Sequence, residues 1–135
     1  MRIYYEFPLN EQAIDAYEKI VESLDDVNIW RGHVKIRKMD NNYRESVLAF
    51  RNKIQNEFVD CRKEDLSIII KYGQGPLKGY QIFQVFQDKI IIMANIRLRG
   101  VWYPLTSFAL SHILEGEIAA LRRLFPPIME QENIK

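Results

Sequence analysis

The sequence is nearly without the residues that build disulfides and metal centres. Its 135 residues include one cysteine, Cys61, and two histidines, His33 and His112. A lone cysteine forms no internal disulfide, which points to a reducing, cytoplasmic setting. No C-x-x-C, H-x-E or H-E-x-x-H spacing occurs, so neither a metal site nor a cofactor is expected. An excess of one charge is also lacking. Nineteen Lys+Arg against eighteen Asp+Glu leave a formal net charge of +1, which excludes a polyanion-binding tail. The longest apolar run, Ile90-Ile91-Ile92-Met93-Ala94, falls far short of the roughly 20 residues of a membrane span. Residues 1–6 show no signal-peptide core. The G-x-S-x-G elbow and the G-x-x-x-x-G-K-[ST] phosphate loop are missing too.

What is there is a chain of ordinary folded composition, 47% hydrophobic and 27% charged, with the length of one globular domain over 1–135. The tail 128–135 is expected to fray. Charge is unevenly placed: residues 1–26 carry a balance of −5, residues 31–63 of +5 and residues 66–123 of +4. Such asymmetry favours oriented contact with an anionic partner or with a second copy of the chain.

Periodicity supplies the elements. Residues 2–7 alternate as a strand, and Asn10 caps a helix carrying Ala13, Ile14, Tyr17, Ile20, Val21 and Leu24 on one face. Residues 28–39 read as a strand or bent pair, with a bulge near Gly32 and with His33, Lys35 and Arg37 on one face. Tyr43, Val47, Phe50, Ile54 and Phe58 step by four, three, four and four, and the spacing predicts a second helix, with Asn42 and Glu45 as its capping box. A strand at 66–72, a mobile glycine-containing loop at 73–79 and a hairpin at 80–99 follow. Residues 101–103 suggest one more short strand, and a last helix from Thr106 or Ser107 ends at Pro126-Pro127, with Gly116 as a point of bending. The expected fold class is α+β, a mostly antiparallel sheet of about five or six strands with three helices packed on one face.

The strongest ligand signal lies in residues 89–99. Ile90, Ile92, Ala94, Ile96 and Leu98 form a core face, while Asn95, Arg97 and Arg99 make the other face increasingly cationic. Trp102 follows directly. With Lys35 and Arg37 on the same sheet face, arginines would pair with phosphate oxygens, Asn95 would bond a sugar or base edge, and Trp102 would stack. Glu115 and Glu117 are only two apart on a helix and face different ways, so they make no carboxylate pair.

The closing β-β-β-β-α order is similar to that of single-strand-binding modules. The hairpin Gly79-Tyr80-Gln81-Ile82-Phe83-Gln84-Val85-Phe86-Gln87-Asp88-Lys89-Ile90-Ile91-Ile92 resembles the central hairpin of RelE-type RNase toxins. The reading from these features is a non-catalytic protein that binds single-stranded nucleic acid or a nucleotide through Lys35, Arg37, Asn95, Arg97, Arg99 and Trp102. Its alternatives are a protein inhibitor of the antitoxin, immunity or phage anti-defence kind, and a RelE-like RNase toxin. The apolar segment 124–129 adds a homodimer contact as a further expectation.

Overall fold

In the computed structural model, which describes residues 2–40 and 42–126, one seven-stranded antiparallel sheet dominates the chain. In chain order the elements are β1 (Arg2–Pro8), α1 (Ala13–Ser23), β2 (His33–Lys38), β3 (Tyr43–Leu48), β4 (Ile54–Arg62), β5 (Ser67–Tyr72), β6 (Leu77–Val85) and β7 (Lys89–Leu98). A 3-10 helix (Gly100–Leu105) leads into the long α2 (Thr106–Leu124). The strand order is β1-β7-β6-β5-β4-β3-β2, so β2 to β7 form a continuous meander and β1 returns beside β7.

Strand β7 shows what holds this sheet to its helices. Ile90, Ile92, Ala94, Ile96 and Leu98 alternate to one side and are at most 5% exposed. Against the same sheet face α1 sets Ala16, Tyr17, Ile20 and Leu24, while the second half of α2 sets Ala120 and Leu121. A smaller apolar cluster of Leu48, Leu77, Ala94, Ile96, Leu98 and Leu110 lies under the first half of α2. Complete burial of one Leu or Ile side chain contributes about 1.5–3 kcal/mol, so the sheet face and its helices stabilise each other.

The α+β class and the antiparallel sheet agree with the sequence. The counts do not: among the described residues there are seven strands and two α-helices. The extra strands come from residues 43–58, which form the hairpin β3–β4 instead of a helix. Arg51 and Asn52 both take φ 53° at its turn, the left-handed conformation of a two-residue hairpin loop, here without the usual glycine. The inward side chains of the hairpin are largely polar, with Arg44, Ser46, Gln55 and Glu57 all buried. Helix α1 is capped at Gln12 rather than Asn10. Strand β2 is shortened because residues 24–30 are turns, with Trp30 N–H donating to Asp26 O at 3.0 Å. Residues 101–103 belong to the 3-10 helix, and α2 runs unbroken through Gly116. The tail 128–135 and residues 127–129 of the apolar segment 124–129 lie outside the described residues.

The glycine-containing loop is pinned in place. Gln55, fully buried, donates to Gly73 O at 3.2 Å and accepts from Leu77 N–H at 2.8 Å. A Cβ on Gly75 (φ 137°) would stand 2.3 Å from the Gln55 Oε1 that makes this second bond. Gly79 (φ 121°) lets β6 approach β7, where a Cβ would meet Asn95 O at 2.0 Å. The Gly79→Ala variant is therefore expected to lose about 1–3 kcal/mol, measured as a lower urea midpoint; an unchanged midpoint would show that the strands can part there without cost.

Candidate functional site

The sequence-predicted ligand residues are not gathered in one place. Lys35 and Arg37 lie on β2, Asn95 and Arg97 on β7, with four strands between them. That separation is about 24 Å of sheet at ordinary strand spacing. Arg37 pairs with Glu45 at 3.5 Å, and Arg97 is exposed opposite Lys78. Arg99 closes the 73–77 loop, donating to Gly73 O at 3.1 Å and Leu77 O at 3.4 Å. Trp102 meets the Phe50 ring edge-on at 5.6 Å and carries the Arg51 guanidinium over its face at 4.8 Å, so that face already has its cation. His33 does not share a face with Lys35 and Arg37. A register shift between His33 and Lys35 turns its ring inward, toward buried Glu57.

The concave features lie on the opposite side, between the sheet and α2. A chamber of about 480 Å³ is bounded by Phe108, Ala109 and Ile113 of α2. Leu48, Phe50, Leu77, Leu98 and Leu105 close it from the strand ends and turns. Its lining is overwhelmingly apolar, and Leu105 and Phe108 remain 47% and 66% exposed. Large apolar side chains left open beside a hollow mark a ligand entrance more often than a core. A second hollow of about 530 Å³ lies beside β1 and the end of α2, lined partly by Glu11, Lys19 and Arg122. It borders Pro126, the last described residue.

The apolar chamber shares Gly32, Leu48, Leu77, His112 and Ile113 with a smaller, deeper pocket of about 80 Å³. Its lining stays mostly apolar, but four polar side chains join it: His33, Glu57, Tyr72 and Glu117. Two hydrogen-bonded sets arrange these groups. In the first, the Glu57 carboxylate accepts from Arg44 Nε at 2.7 Å and Ser46 Oγ at 2.8 Å, with His33 Nε2 at 3.3 Å. Burial alone would push the Glu57 carboxyl up, but the His33, Arg44 and Ser46 donors outweigh it and hold it at about 2. Arg44 also donates to Leu24 O at 2.8 Å, tying the end of α1 to the sheet.

In the second set, Tyr72 Oη donates to Gln81 Oε1 at 3.0 Å, and Gln81 Nε2 donates to Glu117 Oε2. Burial drives the Glu117 carboxyl up to about 8, against the Gln81 donor and reinforced by the Glu57 charge. Two carboxyl groups at one pocket thus differ in state at neutral pH, Glu57 ionised and Glu117 protonated. His33 Nδ1 is buried and has no hydrogen-bond partner among the described residues. Unlike these groups, Cys61 lies near the surface at the far end of β4, where partial desolvation and Asp60 raise its thiol pKa, so it is no activated nucleophile. Among the described residues no cluster of His, Cys, Asp and Glu could hold a metal ion, and no helix is long and apolar enough to cross a membrane.

No protein-family model matches the sequence, and no curated protein matches it significantly. Solved structures match its fold. An uncharacterized protein from Bacillus thuringiensis superposes with a TM-score of 0.72 at 8% identity, covering 94% of this chain and 100% of that one. The Zhui aromatase/cyclase from Streptomyces sp. R1128 gives 0.67 at 12% identity, covering 92% and 90%. A START superfamily protein from Mycobacterium smegmatis gives 0.66 at 10% identity, covering 91% and 98%. The architecture is therefore of the START-like helix-grip type, in which a long C-terminal helix lies across a curved antiparallel sheet. This corrects the functional expectation. The structural likeness is to a cyclase and a START protein, and a phosphate-binding cationic sheet face finds no support in it. The protein-inhibitor and RNase-toxin alternatives fall with that reading.

Proposed function

We propose that the protein binds a small, largely apolar molecule in the chamber between α2 and the sheet. The observation that carries this reading is the hollow of about 480 Å³, walled by aliphatic and aromatic side chains and opening beside exposed Leu105 and Phe108. Its size falls within the range of small-molecule sites, and its lining follows their pattern of many apolar contacts around a few polar groups. The likeness to an aromatase/cyclase and to a START superfamily protein supports the same reading.

Binding is tested with the fluorescent probe phenylnaphthylamine, expected to brighten on the protein with one-to-one stoichiometry. Ala109 lines the chamber from α2 and is half-buried. An Ala109→Trp substitution fills the space and is expected to weaken the probe at least about tenfold, since its apolar contacts are lost to the indole. A probe that binds Ala109→Trp as tightly as the parent sits elsewhere, and the chamber reading then fails.

A further inference from the structure

The chamber opens at the end of the sheet where β3 turns into β4, β5 into β6, and β7 runs into the 3-10 helix. Residues 46–56, 70–81 and 94–114 supply this end and contain no aspartate or glutamate. Their cations Arg51, Lys53, Lys71, Lys78, Arg97 and Arg99 are exposed and form no ion pair among the described residues. Glu57 beneath the chamber is buried against Arg44. On α2 the first acid is Glu115, about two turns beyond Phe108. The opposite end of the sheet holds α1 and the turns after β4 and β6, and there cations are paired. Lys19 meets Glu11, Lys63 meets Glu18 at 3.6 Å, and Lys89 meets Glu6 at 3.4 Å. The charge asymmetry of the sequence thus becomes a polarity of the fold, with its positive pole around the chamber mouth.

Large apolar side chains project from the same end. Val101 is 86% exposed and Tyr103 56%, and Leu105 and Phe108 stand open at the mouth itself. All four lie on the 3-10 helix and the first turn of α2. Arg51 covers the neighbouring Trp102 ring, so cation and apolar group stand side by side. We infer that this end of the molecule docks on an anionic lipid bilayer. Val101, Tyr103, Leu105 and Phe108 enter among the headgroups, and the surrounding cations meet the negative surface as a field rather than as a grip on one phosphate. Buried apolar area and attraction to anionic lipid together set the strength of such a contact, and tyrosine suits the headgroup level. A second copy of the chain is a poor occupant, because mouth-to-mouth contact presses like charges together. No described helix is long and apolar enough to cross the bilayer, so the contact is with its surface. Docking brings the chamber mouth to the phase in which apolar molecules collect. It goes beyond the chamber reading and stands whether or not the chamber is filled.

The test is sedimentation of the full chain with sucrose-loaded phosphatidylcholine vesicles, with and without about 30% phosphatidylglycerol. At about 50 mM salt the anionic vesicles are expected to bind at least about tenfold more tightly than the neutral ones, and about 200 mM salt to narrow that preference. Val101→Ser/Tyr103→Ser changes two exposed positions outside the chamber lining. It is expected to lose about tenfold in affinity for the anionic vesicles. Lys53→Gln/Lys78→Gln is expected to lose about as much and to respond less to salt. Both variants should melt with the parent, since all four side chains face solvent. A parent protein that stays in the supernatant with anionic vesicles at low salt overturns the inference, and so does equal binding to neutral ones. Undiminished binding of Val101→Ser/Tyr103→Ser places the contact elsewhere and overturns it too. None of these outcomes bears on the chamber, which phenylnaphthylamine reports without vesicles.

Discussion

Replacing Arg44 with methionine is expected to cost about 3–5 kcal/mol of folding stability, the usual result of removing one partner of a buried ion pair. Arg44 is 5% exposed and Glu57 1%. Without the guanidinium, Glu57 keeps Ser46 and His33 but loses its compensating charge, and Leu24 O at the end of α1 loses its donor. The deficit has a pH signature. In the parent protein the Glu57 carboxyl is held at about 2 rather than its ordinary 4.5. A depressed carboxyl contributes stability that is present above the unfolded value and disappears as pH falls through the folded one. The His33 contact is the largest cause of that depression and stays in place; Arg44→Met removes the part due to Arg44, so the gap between variant and parent should narrow on acidification from about pH 5 toward pH 2. Urea titrations across that range measure it. A loss below about 1 kcal/mol at neutral pH would mean that water already screens the pair.

Glu117→Gln should act in the opposite direction. The Glu117 carboxyl is raised from 4.5 to about 8 in the folded protein. Between those values the folded chain holds a proton that the unfolded chain has released, so stability falls as pH rises from about 4.5 to about 8 and levels off beyond. Glutamine keeps the shape and the polar contact to Gln81 without the titration. The variant is expected to match the parent near pH 4 and to exceed it by about 2–4 kcal/mol at pH 9. This range lies below the full linkage value because the cavity admits water. Thermal melts at the two pH values should therefore separate by several degrees at the upper one only. Curves that stay parallel would show that Glu117 titrates as an ordinary exposed carboxylate.

These two groups also mark where the sequence was legible and where it was not. Strand β7 could be read residue by residue, because its inward face is purely apolar and period two is then unmistakable. The hairpin β3–β4 could not. Its inward positions hold Arg44, Ser46, Gln55 and Glu57, so the hydrophobic residues left over at 43, 47, 50, 54 and 58 mimicked a helix. Its turn residues, Arg51 and Asn52, gave no glycine signal. The misreading falls on the strands that build the polar depth of the cavity, where function departs from simple patterning. Glu117 carried a detectable sign. It stands in the stripe Leu110, Leu114, Glu117, Leu121, where an acid occupies a position that helical spacing assigns to the interior. The cationic residues of β2 and β7 were visible, but strand order cannot be read from charge, and four strands turned out to separate them.

The open edge of the sheet gives those β2 cations a different meaning. Among the described residues strand β2 pairs only with β3, so along its other side its backbone N–H and C=O groups face no described strand. Such an edge is a template on which another molecule can lay a strand and begin an aggregate. Lys35, Arg37 and Lys38 place three cations on the six residues of this strand. Two copies approaching edge to edge would have to press those charges together. Lys35 and Arg37, two of the residues that looked like a phosphate grip, thus sit where charge disfavours the addition of another strand.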